Sequence, residues 1–133
     1  MATFAMKFGE TVYQLATSFK AVQMIEERVG DPFIIAQDEA RRADAYEKGL
    51  PDPGGFRMSV GSMVNIIHSG LQANGDNTSV DEIGEVIVRF GVIQATEPVG
   101  EYLAILVGGE EQPKNRKQRR AENSGKGGRK GKG

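Results

Sequence analysis

The chain has no cysteine, no tryptophan and only one histidine among its 133 residues. Without cysteine it can form neither a disulfide, nor a thiolate metal site, nor a thiol nucleophile. With a single histidine it also lacks the ligands of a multi-histidine metal site. Long apolar runs are missing too, because no stretch approaches 18 consecutive apolar residues and no basic segment precedes an apolar one at the N-terminus. We therefore expect a cytoplasmic protein with no metal, no other cofactor and no membrane partner.

Charge is distributed unevenly along the chain. Residues 1–111 carry eight Lys and Arg against 17 Asp and Glu, a balance of −9, whereas residues 112–133 carry nine basic residues and one acid, a balance of +8. The second segment has no aliphatic side chain larger than alanine, so it cannot bury enough apolar surface to offset the entropy of ordering. The sequence predicts a folded acidic domain over residues 1–111 and a disordered Lys/Arg/Gly-rich tail over residues 112–133.

The N-terminal residues predict a β-hairpin. Apolar residues occupy every second position on both sides of a Gly9-Glu10 pair: Phe4, Met6, Phe8, Tyr13 and Leu15. Glycine in the first turn position favours a two-residue type II′ turn. A lone hairpin is only marginally stable in water, so this one must lie on helices or pair with another chain.

Two helices are predicted next. Ser18 caps the first, in which Phe19 and Val22 belong to the apolar repeat and Gly30 follows the end. Asp31-Pro32 opens the second, with Asp as cap and Pro in the first helical position. Its apolar start gives way to charged residues, so we expect the second half to be solvated or frayed.

Three more helices follow the PDPGG breaker at residues 51–55. The third has a Ser59 cap and a continuous apolar stripe, made by Val60, Met63, Val64, Ile67 and Leu71. The fourth starts after Ser79, with Val80, Ile83, Val86 or Ile87, and Phe90 as its apolar positions. The fifth is predicted to open near Thr96 and Pro98 and to stop at Gly108. The fold class is mainly α with an N-terminal hairpin.

The joint between the third and fourth helices resembles a calcium loop in its spacing. Four residues fall at positions 1, 3, 5 and 12 of that loop: Asn74, Asp76, Thr78 and Glu85. However, Asn replaces the first aspartate ligand and Ser79 replaces the turn glycine. Ser79 and Glu82 fit a reciprocal capping box instead, so we interpret the segment as a helix-loop-helix joint and predict no metal site.

The titratable residues form no catalytic constellation. His68 lies on the polar side of the third helix, and no nucleophile and orienting carboxylate stand at an interpretable spacing from it. Two carboxylate clusters, at residues 26–27 and 81–85, occupy helix positions where capping or solvation accounts for them. We therefore expect no enzymatic activity.

The basic tail allows three interpretations, which the sequence leaves open. Its cations can neutralise phosphates and bind nucleic acid, although no aromatic residue is present for base stacking. They can also contact an acidic protein surface, or simply raise solubility. The candidate contact residues of the tail are Lys114, Arg116, Lys117, Arg119 and Arg120.

Read together, several segments resemble the small tail assembly proteins, or tail chaperones, of long-tailed phages and gene transfer agents, sometimes labelled tail tube proteins. The resemblance covers about residues 8–109. The matching marks are the hairpin with Gly9, Tyr13 and Leu15, Phe19, the Ile25-Glu26-Glu27-x-x-Gly30 helix end, Gly70-Leu71, Gly75 and Glu82-Ile83-Gly84. The charged segment 38–57 is longer than the family usually carries, and the basic tail is not part of its pattern.

This resemblance implies a nonenzymatic assembly factor that binds the long tape-measure protein and helps to recruit tail tube subunits around it. The hairpin residues and the tail residues named above are then candidate contacts. Core packing is favoured for the hairpin side chains and partner contact for the tail. Two rivals remain: a structural component that stays in the particle, with hairpins pairing between subunits of a homo-oligomer, and a nucleic-acid-binding accessory protein.

Overall fold

The computed structural model describes residues 2–108. Its elements are β1 (Thr3–Phe8), β2 (Thr11–Ala16), α1 (Phe19–Arg28), α2 (Pro32–Glu47), α3 (Val60–Ala73), α4 (Val80–Phe90) and α5 (Val92–Gly108). The predicted hairpin followed by five helices is confirmed. The predicted disorder of residues 112–133 lies outside the described residues.

The hairpin turn has the predicted type. β1 and β2 pair in antiparallel register, with Phe8 opposite Thr11 across the two-residue turn. Gly9 has a φ of 65°, whereas no residue other than glycine has a positive φ between residues 2 and 108. A positive φ at the first turn position alone distinguishes type II′ from type I′.

Four helices begin at the predicted caps. The Ser18, Ser59 and Ser79 side chains each accept a hydrogen bond from a backbone N–H three residues later, and Asp31 accepts from the N–H of Phe33. At Ser79 only half of the capping box forms, because Glu82 donates its N–H at 3.2 Å without a return bond from its carboxylate. The joint before α4 is a helix-loop-helix connection, as expected.

Helix α3 lies at the centre of the core. It packs against β2, α1, α4 and α5, and the inner face of the hairpin closes the cluster. Its buried residues include four of the five members of the predicted stripe: Met63, Val64, Ile67 and Leu71. A strongly apolar helix is stable here because other elements cover it on several sides.

Two residues of the predicted apolar repeats are exposed. Phe19 is 74% exposed, because it lies outside the face of α1 that buries Ala21 and Ile25. Val80 is 41% exposed at the start of α4, whose buried positions are Ile83 and Ile87. Each residue directly follows its cap, where the chain is still at the edge of the core.

The predicted start of the last helix is wrong. Helix α5 begins at Val92 and includes Pro98 in its interior. An interior proline costs about 3 kcal/mol, since it removes one backbone hydrogen bond and crowds the preceding turn. Burial of Val99, Tyr102 and Leu103 on the same helix favours continuation, at roughly 1.5–3 kcal/mol for each large side chain. The packing therefore outweighs the proline.

The second half of α2 is a complete helix that is held to the following loop. The Asp38 carboxylate accepts a hydrogen bond from the N–H of Phe56 at 2.8 Å and another from Arg41. Arg42 donates to the carbonyls of Gly54 and Phe56 at 3.0 and 2.6 Å. The backbone hydrogen bond from Phe56 is the main reason that the pKa of Asp38 is lowered. These contacts give the segment 38–57 a fixed course.

None of the helices between residues 2 and 108 has the length and apolarity that crossing a membrane requires.

Candidate functional site

The predicted contact residues of the hairpin belong to its packed face. Met6, Phe8, Tyr13 and Leu15 are buried in the core, and Phe4 packs against it while remaining partly exposed. The Phe4 ring lies 5.7 Å from the ring of Tyr102, and the Phe8 ring lies 5.3 Å from that of Phe90. In this arrangement the hairpin can meet a partner through its outer face and its strand edges. The predicted contact residues of the tail, Lys114, Arg116, Lys117, Arg119 and Arg120, lie outside the described residues.

The two edges of the hairpin differ. Phe8 and Thr11 flank a two-residue turn and form a hydrogen-bonded pair, so alternate residues of each strand direct their backbone groups outward. On β2 the outward carbonyl of Gln14 accepts from the Asn74 side chain at 3.2 Å, and that of Ala16 accepts from the Tyr102 hydroxyl at 2.6 Å. The edge of β2 is therefore largely satisfied.

The edge of β1 is open. Its outward backbone groups are those of Thr3, Ala5 and Lys7, and no hydrogen bond from the rest of residues 2–108 reaches them. Beside them lies a groove of about 390 Å³ between β1 and the first half of α5. On the helix side it is lined by Phe90, Gln94, Glu97, Pro98 and Glu101. We call this feature the β1 groove.

A second open feature lies along the surface where α2 and α5 contact each other. Two adjoining cavities, of about 390 and 280 Å³, share Ala36, Ala40 and Ala104 in their walls. Their remaining lining residues include Phe33, Gln37, Glu39, Gly100, Leu103, Val107 and Gly108. Phe33 is 56% exposed and Val107 is 39% exposed at one end. We call this mostly apolar feature the α2–α5 channel.

The channel is absent from the sequence prediction, although a signal for it exists. Ala36 and Ala40 are four residues apart on α2, and Gly100 and Ala104 repeat that spacing on α5. Small residues at this spacing leave a shallow stripe along one face of each helix. The pairing of these two stripes depends on α2 and α5 being neighbours, which spacing alone cannot specify.

The histidine takes part in a cluster that joins α1 to α3. Arg28 donates to Nδ1 of His68 at 3.1 Å and to Oε1 of Gln72 at 2.7 Å. Because guanidinium can only donate, Nδ1 must be the unprotonated nitrogen of the ring. Burial and the neighbouring Arg28 charge lower the pKa of His68. Arg28 also donates to the Ser69 hydroxyl at 3.4 Å, and that hydroxyl donates to the carbonyl of Asn65, so the cluster holds α1 against α3.

Replacing His68 by glutamine is expected to flatten the dependence of stability on pH between about pH 5 and 7. The folded state has the lower pKa, so the unfolded chain takes up a proton first as the pH falls. In the native sequence His68 therefore favours folding above its ordinary pKa and loses that effect below it. Urea unfolding of both proteins across this range measures the effect, and identical slopes would contradict it.

The calcium-like spacing does not gather its oxygens around one point. Asp76 accepts from the backbone N–H and the hydroxyl of Thr78 at 2.8 and 2.6 Å, which forms a local turn and lowers the pKa of Asp76. Asn74 is directed to Gln14 instead. Between residues 2 and 108 no group of three or more His, Asp or Glu side chains is arranged to hold a metal ion.

No protein-family model, curated protein or solved structure matches the chain. The β1 groove and the α2–α5 channel are therefore interpreted from their own geometry and chemistry.

Proposed function

We propose that this protein is a nonenzymatic tail assembly chaperone of the kind found in long-tailed phages and gene transfer agents. In this proposal it binds helical segments of a tape-measure protein and helps to recruit tail tube subunits. It acts in the cytoplasm of the bacterial host during particle assembly. The observation that carries the proposal is the open α2–α5 channel, together with the sequence resemblance.

The channel has the form of a helix-binding groove. Ala36, Ala40, Gly100 and Ala104 have little or no side chain, so a third helix can approach the backbones of both walls. Apolar side chains of that helix can then pack against Phe33 and Val107 at the exposed end. Burying one large apolar side chain contributes about 1.5–3 kcal/mol, so two or three such anchors support specific binding.

The net charge of residues 2–108 affects which partner they can bind. Residues 2–108 carry eight Lys and Arg against 15 Asp and Glu. This excess of acidic residues opposes the binding of nucleic acid to residues 2–108 and favours the binding of protein segments with basic flanks. The rival nucleic-acid function rests on the basic segment 112–133, and its binding should weaken steeply with salt.

Placing a charge in the α2–α5 channel is expected to weaken binding of the tape-measure protein, the proposed client. Ala40 is exposed, so Ala40→Glu should fold normally while presenting a carboxylate to the apolar face of the client helix. We expect affinity for a tape-measure segment to fall by at least about tenfold, as at an interface hot spot. Calorimetry of the purified complex, or retention of the client in solution on co-expression, measures the change.

Val88→Glu is the matched control. Val88 is 63% exposed on α4 and contributes to neither the channel nor the β1 groove, yet the change adds the same charge to a helix surface. Equal loss of affinity in both variants would show that the client does not bind in the α2–α5 channel. Recovery of the protein from mature particles in stoichiometric amounts would favour the structural rival over a chaperone.

A further inference from the structure

The open edge of β1 is a second candidate binding site, separate from the α2–α5 channel. We propose that an extended segment of a partner protein, with Lys or Arg at every second position, binds as a third strand beside β1. Its basic side chains face Glu97 and Glu101 of α5. The site is the β1 groove, so both its position and its ligand differ from those of the helix-binding channel.

The backbone of β1 is prepared for strand addition. Thr3, Ala5 and Lys7 direct their N–H and C=O groups away from β2, and these groups find no partner within residues 2–108. Side chains satisfy two of the three outward carbonyls on β2, whereas nothing comparable protects β1. Unpaired strand edges accept extended peptides through main-chain hydrogen bonds.

The far wall of the groove selects the charge of the added strand. β1 runs antiparallel to α5, since Phe4 contacts Tyr102 while Phe8 contacts Phe90 near the start of the helix. Glu97 and Glu101 are four residues apart on this wall, and neither forms an ion pair with any residue from 2 to 108. An added strand turns alternate side chains toward them, so Lys or Arg at every second position is complementary.

The other charges near the groove agree with this orientation. Lys7 is exposed on the outer face of the hairpin, opposite the face that packs on the helices. Arg89 lies toward the turn, with Glu10, in an adjoining depression. The acidic section is therefore at the Phe4 end, and the basic residues of the ligand belong there.

A second copy of the chain fits this edge poorly. Antiparallel pairing of two β1 strands keeps the inner faces of both hairpins on one side of the joined sheet. Each inner face is covered by its own α5, so Glu97 and Glu101 of the two copies would approach one another. Opposed like charges destabilise such a contact, which favours a basic partner instead.

The test uses the full chain and a blocked heptapeptide in which threonine and lysine alternate. Amide hydrogen exchange, followed by NMR, should show new protection at Thr3, Ala5 and Lys7 on titration. The amides of Phe4, Met6 and Phe8, which already face β2, should change little.

Charge variants test the role of the acidic wall. A peptide with glutamate in place of lysine should not bind. The double substitution Glu97→Gln with Glu101→Gln should weaken binding of the lysine peptide about three- to tenfold. The matched pair Glu26→Gln and Glu27→Gln on α1 should leave its affinity unchanged.

Main-chain pairing can be separated from simple charge attraction. Two versions of the peptide carry N-methyl groups, one on the lysines and the other on the threonines. Only one set of N–H groups faces β1, so only one version should lose binding. Equal binding of both versions, or binding without protection at Ala5 and Lys7, would overturn the proposal.

The β1 edge could instead be occupied by the protein's own tail or by a second copy of the chain. Amide exchange measured without peptide distinguishes these two occupants. Protection of the β1 amides in the full chain that disappears in a chain ending at residue 111 would assign the edge to the protein's own basic tail. Protection that rises with protein concentration would assign it to a second copy. Either result would overturn the partner assignment, and neither would bear on helix binding by the α2–α5 channel.

Discussion

Replacing Gly70 by alanine is expected to lower the free energy of unfolding by about 2–4 kcal/mol, through overpacking and a disturbed buried hydrogen bond. A β-carbon at this position would lie 2.5 Å from the Tyr102 hydroxyl oxygen and 2.9 Å from Cβ of Leu15. Both neighbours are buried, and Tyr102 is held by its bond to Ala16. Relieving the overlap must move α5 or β2 away from α3. The helical preference of alanine over glycine returns only about 1 kcal/mol.

Gly84→Ala is the matched control for this change. Gly84 is also inside a helix, but its added β-carbon would meet Cγ2 of Val64 at 3.8 Å, an ordinary contact. The same substitution should there be neutral or stabilising by roughly 0.5–1 kcal/mol. Urea unfolding of the two variants gives the comparison. Similar stability changes of the same sign would show that α3, β2 and α5 do not meet as closely as described.

Tyr102→Phe is expected to lower the free energy of unfolding by about 1–3 kcal/mol, because it leaves a buried carbonyl without its donor. The Tyr102 hydroxyl donates to the carbonyl of Ala16 at 2.6 Å, and both residues are buried. Burial also raises the pKa of Tyr102 well above its ordinary value, so the hydroxyl stays protonated as a donor. For a domain of about 100 residues the melting temperature should fall by roughly 4–8 °C per kcal/mol.

Tyr46→Phe provides the control, since Tyr46 is 85% exposed on α2 and its hydroxyl is therefore open to water. This substitution also removes one hydroxyl oxygen, but it should leave the melting temperature unchanged within about 1–2 °C. If Tyr102→Phe were equally silent, the link between α5 and the end of β2 would not contribute to stability.

Local signals predicted much of the fold. Gly9 identified the turn type, and Ser18, Asp31, Ser59 and Ser79 identified four helix starts. These features depend on residues close together in the chain. The apolar stripe of α3 was equally clear because a central helix buries a wide face. The mistakes at Phe19 and Pro98 arose where contacts between distant segments decided the outcome.

The two surfaces were harder to anticipate for the same reason. The sequence drew attention to the apolar face of the hairpin, but that face is covered by helices. The α2–α5 channel requires Ala40 and Gly100 to come together from residues 60 positions apart. The β1 groove requires Glu97 and Glu101 to face an unpaired strand at the opposite end of the chain. Spacing within one helix predicts neither juxtaposition.

The proposal of a tail assembly chaperone is tested most directly by a pull-down from extract of the producing cells, made with and without nuclease treatment and with partners identified by mass spectrometry. The baits are the full chain, a chain ending at residue 111, and that shorter chain with Ala40→Glu or Val88→Glu. We predict that both unsubstituted baits and the Val88 variant recover one very long helical protein, and that the Ala40 variant loses it. Capture by the full chain alone, lost after nuclease treatment or in moderate salt, would contradict the account and assign binding to nucleic acid through the basic tail.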